Sequence, residues 1–253
     1  MTRLVRAIRD ELRAFAAQLK PMPTVVFVVG AFVLWIYWYG FKLDFYDDFV
    51  APHLRGKPTG YLDCLWWTLG PIPFLMLIPH LSLKIARRFS PDDPVPTEGF
   101  RLGNWRYGLT AVGLFYAVMI PVLLIFVLPN ATFEANYPMC AEATATTARF
   151  VVYELALVSY FIAWEYFFRG FLLFGLEKTL GVWAIFAQML PFVVAHFDKP
   201  AMEALSSILA GVALGWLALR TRSFWYGAIV HGGVDVVLDL MMTAWKHAHG
   251  HHA

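Results

Sequence analysis

Ala163-Trp164-Glu165-Tyr166-Phe167-Phe168-Arg169-Gly170 sets an acid and a base four residues apart inside a run otherwise fit for lipid. An ionised side chain at membrane depth costs at least ~2.5–3.5 kcal/mol on insertion scales, so two in one apolar helix need a reason. Spacing supplies half of it. Residues i and i+4 share a helix face, and Glu165 lies N-terminal to Arg169, so the two can pair and lower each other's desolvation cost. Arg169 is therefore read as the cation of a structural ion pair. Intramembrane ionisable groups are also candidate functional groups, so the meaning of Glu165 depends on the rest of the chain.

Working outward, 59% of the 253 residues are hydrophobic and 15% charged, with 22 Phe and 10 Trp; mean hydropathy is +0.58. Charges are too few to coat a soluble domain, which implies an all-α, polytopic transmembrane helical bundle. Apolar runs near the ~20 residues a bilayer core requires occur at 22–39, 62–81, 107–128, 150–176, 182–197, 204–219 and 224–245, so about seven spans are expected. Ahead of them Leu4, Ile8, Leu12 and Phe15 fall near helical spacing among Arg3, Arg6, Arg9, Arg13 and Lys20. That pattern predicts an N-terminal amphipathic helix lying in the interface over residues 1–21, without the cleavage pattern of a removable signal. The segment 90–105, with Pro91, Asp92, Asp93, Pro94 and Pro96, reads as an ordered cytoplasmic connector.

Basic residues set the expected orientation. With the N-terminus inside, the inner segments hold Arg3, Arg6, Arg9, Arg13, Lys20, Lys84, Arg87, Arg88, Arg101, Arg106, Lys178, Arg220 and Arg222. The outer ones hold only Lys42, Arg55, Lys57, Lys199 and Lys246, with Arg149 at an edge. This asymmetry predicts the N-terminus inside and the C-terminus outside. A net charge of +2 is too small for a nucleic-acid-binding surface. Cys64 and Cys140 have no metal-ligand or redox spacing, and they read as two unrelated small residues, with a disulfide the alternative if both reach an oxidising side.

Four further polar positions lie inside apolar runs: His196, four residues after Phe192, and His231, followed by Asp235 and Asp239. A His-Asp-Asp stripe cannot face lipid and must line the bundle interior or a wet cavity. At 1.5 Å per residue, Glu165, His196 and His231 lie ~16, ~22 and ~10 Å from the cytoplasmic ends of their spans, close enough in depth to meet. Each also has a structural reading, since a lone His can simply bridge two helices. Asp239, nearer the outer end, is expected to be solvated. Ser207, Gly211 and Gly215 read as a close-packing face.

The set Glu165-x-x-x-Arg169, Phe192-x-x-x-His196 and His231-x-x-x-Asp235, in that order, resembles the CAAX protease and bacteriocin-processing (CPBP, Abi) family of glutamic-type intramembrane endopeptidases. The resemblance covers roughly residues 150–240. It implies a catalytic four-helix core over 149–245, preceded by three further spans over 22–148 and followed by a His-rich tail, 246–253. It further implies a water activated by Glu165 and His196, with His231 and Asp235 facing the oxyanion. The family's first motif has two adjacent acids, and here the first is Trp164. Adjacent helical residues point ~100° apart, so Glu165 cannot take its neighbour's place without local distortion.

No cofactor is expected; zinc held by Glu165, His196 and His231 is the second reading, although no helix carries His-Glu-x-x-His spacing. His247, His249, His251 and His252 read as a tail that binds metal only adventitiously. The expected partners are the lipid bilayer and a membrane-associated polypeptide substrate, in the cytoplasmic membrane of a bacterium. The competing classes are an inactive CPBP-like binding, chaperone or immunity protein, which Trp164 favours, and a transporter with a Glu-His-Asp proton relay, for which internal repeats are lacking.

Overall fold

The computed structural model describes residues 2–42, 44–54, 56–89 and 99–250. Among them every regular element is helical: α1 (Thr2–Gln18), α2 (Pro21–Tyr37), α3 (Thr59–Leu69), α4 (Ile72–Phe89), α5 (Trp105–Val122), α6 (Ala131–Asn136), α7 (Thr147–Glu165), α8 (Phe174–Leu180), α9 (Ala184–Val194), α10 (Ala201–Thr221) and α11 (Trp225–Ala248). Wide π-helical turns extend α2 through Trp38–Lys42 and α5 through Leu123–Val127, and another joins α7 to α8 through Tyr166–Leu173. Helices suit this composition because they satisfy their backbone groups internally where no water is present.

Six helical runs among the described residues are long and apolar enough to cross a bilayer, and the fourth, Thr147–Val194, has 48 residues. As continuous helix it would measure ~72 Å, over twice a ~30 Å bilayer core. It folds back instead at Gly181, whose φ of 58° suits glycine best. Ring contacts between Phe168 and Phe192 and between Trp164 and His196 step symmetrically outward from Leu180, the signature of an antiparallel hairpin. The separate spans expected at 150–176 and 182–197 are the two arms of this hairpin.

Its first arm is the centre of the molecule. Every residue from Ala163 to Leu176 is buried, packed among α2, α4, α9 and α11. The small residues of α10 admit α9: Gly211 abuts Met189 and Phe192, and Gly215 abuts Gln188 and Ile185. Large apolar side chains such as Leu114, Phe126, Leu155 and Leu209 point outward, as a lipid-facing surface requires. On α1, Leu4, Ile8, Leu12 and Phe15 are likewise exposed, which fits a helix lying in the interface.

Two expectations are corrected. Cys64 and Cys140 form a disulfide, with Cα atoms 5.9 Å apart. The loop after α5 folds inward to reach α3, because Phe133 and Tyr137 bury against Leu238 and Met242 of α11. The same fold-over covers Asp239, which is fully buried and not solvated. The connector prediction at 90–98 and the terminal His251 and His252 lie outside the described residues. Residues 99–104 are tied to the α10–α11 turn, where the Asn104 N–H donates to the Thr221 carbonyl at 3.0 Å. A side chain at Gly103 would collide with that carbonyl.

Candidate active site

Glu165 ends α7, and the wide turn begins at the next residue. Its carboxylate is fully buried and receives two bonds on Oε1, from Arg169 Nη1 at 2.8 Å and from His231 Nδ1 at 2.9 Å. Glycine at 227 lets α11 come close enough for the second bond, since a Cβ there would overlap Glu165 Oε2. Arg169 is equally buried, and its guanidinium lies over the Phe192 ring at 4.2 Å. It thus balances the carboxylate in a site closed to solvent, where an unpaired charge would be far more costly.

The Nδ1 bond to Glu165 fixes the ring of His231. Nε2 then points away from Glu165, 4.0 Å from Asp235 Oδ2, beyond hydrogen-bond reach. The His231 and His196 rings stack at 5.9 Å between centroids. His196 stands in the turn just beyond α9, and its Nδ1 donates to the Phe192 carbonyl at 2.7 Å. A carbonyl only accepts, so the proton sits on Nδ1 and Nε2 keeps its lone pair.

Both imidazoles line a cavity with about 30 Å³ of space for water centres, enough to hold an ordered water. Asp235, Glu203, Lys199 and Lys42 line it too, with Trp164 along one wall. The sequence reading couples Glu165 to His196; the structure couples it to His231. Trp164 is the reason, because it takes the direction facing His196, with rings 6.3 Å apart, and Glu165, one residue on, is turned to α11. Glu165, His231 and Asp235 are therefore grouped, and His196 joins them through the stacked rings and the shared cavity.

Lys42, Lys199 and Glu203 were missed because they look like ordinary loop and helix-end charges. Lys42 Nζ pairs with Asp198 at 2.8 Å. The Tyr137 hydroxyl donates to Glu203 Oε2 at 2.7 Å and accepts from Lys199 at 3.4 Å. Three charged residues within eight positions of His196, Asp198, Lys199 and Glu203, were the available signal. Among the described residues, only Cys64, Cys140 and Glu142 bring three potential metal-ligand atoms within 4.8 Å of one another, and both cysteines are in the disulfide.

Residues 146–237 match the family model described as type II CAAX prenyl endopeptidase Rce1-like. That stretch is an Rce1-like segment. It likens that part of the chain to membrane proteases, hydrolases of the peptide bond. The Rce1-like segment begins at the residue that caps α7, where the Thr146 hydroxyl accepts from the Arg149 N–H, and ends two residues after Asp235. It spans Glu165, Arg169, His196 and Asp235, while α1 to α6 lie outside it. No match was found among curated proteins or among solved structures.

Proposed function

We propose that this chain is an intramembrane endopeptidase that hydrolyses a peptide bond of a membrane-associated polypeptide with a water held between His196 and His231. The observation that carries the reading is the pairing of two imidazoles over a water-sized cavity, one fixed by the Phe192 carbonyl and the other by Glu165. His196 Nε2 accepts a hydrogen bond from the water and aims it. His231, its Nδ1 held by Glu165, turns Nε2 toward the developing oxyanion. Glu165 thus acts through His231. No step requires a metal, and the zinc alternative loses support because Glu165 is turned away from the cavity.

The chain is placed with its N-terminus inside and C-terminus outside, most simply in a bacterial cytoplasmic membrane. Two independent features support this: the excess of basic residues on the inner segments, and a disulfide on the opposite face, where an oxidising compartment lets it persist. Lys42 and Lys199 at the cavity are on that same outer side, so the substrate is reached from outside. A noncatalytic binding protein is the second reading, favoured by Trp164, whose ring fills the place of the family's first acid.

The test is co-expression with membrane proteins from neighbouring genes, followed by mass spectrometry of fragments. Wild-type protein should yield a defined cut that His196→Ala and His231→Ala abolish while remaining inserted. A cut unaffected by either substitution would remove both residues from the mechanism, and no cut would favour the binding protein.

A further inference from the structure

The endopeptidase reading leaves one proton without a destination. His196, its Nδ1–H committed to the Phe192 carbonyl, aims the water through Nε2, and a carboxylate beside the same cavity would complete the general base. Glu165 cannot take that proton, being fully buried behind His231 with Arg169 and His231 both on Oε1. Two carboxylates do line the cavity, Asp235 and Glu203. Asp235 sits one turn from His231 on the same helix, 4.0 Å from its Nε2, and so lies on the oxyanion side of the site. Glu203 comes from α10 and is held differently. One of its oxygens, Oε2, accepts from the Tyr137 hydroxyl, which accepts in turn from Lys199, a relay that orients the carboxylate.

Resting on the endopeptidase reading, we infer that Glu203 is the general base, a carboxylate supplied from α10 in place of the one that Trp164 replaces on α7. Oε1 is the oxygen left for the reacting water. As the water oxygen bonds to the scissile carbonyl carbon, Glu203 takes one of its protons and the carbonyl π pair becomes the oxyanion facing His231. Collapse of the tetrahedral intermediate breaks the C–N bond. The departing nitrogen takes the proton from Glu203, which regains its starting form.

The experiment uses the full chain in proteoliposomes with a substrate that the wild type cuts. Glu203→Gln keeps size and the bond to Tyr137 but cannot accept the proton. Its kcat should fall on the order of 100-fold or more, with KM within about threefold, since only transition-state interactions are removed. Glu203→Ala should also be inactive, and added formate should restore turnover by occupying the vacated carboxylate position. A merely structural Glu203 would not respond to formate. The inference is overturned by a Glu203→Gln kcat within about threefold of wild type, or by losses in both variants that formate does not lift. In either case the endopeptidase reading survives, because the wild type still cuts. Wild-type protein inactive on every substrate tried overturns that reading and this inference with it.

Discussion

At the residue scale, Glu165 is defined by what encloses it. Gly227→Ala would drive a methyl group into Glu165 Oε2, so it should cost about 1–3 kcal/mol of stability by overpacking and lower the cleavage rate at least tenfold by displacing His231. Gly113→Ala, with open space around its Cβ position, is the control and should raise helix stability by about 0.5–1 kcal/mol. Thermal unfolding in detergent and a cleavage assay on both variants check this pair. Arg169→Ala strands a fully buried carboxylate and should destabilise the protein by about 3–5 kcal/mol, whereas the double change Glu165→Gln, Arg169→Met should recover much of that stability without activity. The i,i+4 pairing of Glu165 with Arg169 was legible in sequence because helical spacing fixes it. The bond to His231 was not, because it depends on how closely α11 approaches at Gly227.

At the scale of elements, the hairpin of α7 and α9 and the loop after α5 divide the work. The spans were readable from hydrophobic run length, and the packing face of α10 from its small residues, since both are local properties of the chain. The fold-over of residues 133–140 was not readable. It comes from Phe133 and Tyr137 finding Leu238 and Met242, a contact between distant segments, and it explains why Asp239 is buried and why Cys64 meets Cys140. That loop also brings Met139 and Tyr137 beside Lys199. Replacing both cysteines by serine should then cost about 2–4 kcal/mol, the usual contribution of a disulfide, and slow cleavage by loosening the Tyr137 contact to Glu203. Unfolding and cleavage of the double variant, compared with reduced wild type, would check it. Unchanged rates would show that the loop keeps its place without the bond.

For the whole molecule, the fold is visible in composition and the site only in part. Glu165, His196, His231 and Asp235 were all named by their positions in apolar helices; Glu203 and Lys199 were hidden because charge near a helix end is ordinary until a cavity gives it meaning. Orientation carries its own prediction. In intact cells a membrane-impermeant reductant followed by an impermeant maleimide should label Cys64 and Cys140, whereas labelling only after lysis would invert the topology. The central claim, hydrolysis by a water held between two histidines, is tested most directly by cleavage in H2¹⁸O with purified protein in proteoliposomes. The account predicts one ¹⁸O in the new C-terminal carboxyl of the wild-type product and no product from His196→Ala or His231→Ala. Undiminished cleavage by the variant lacking both imidazoles would contradict it.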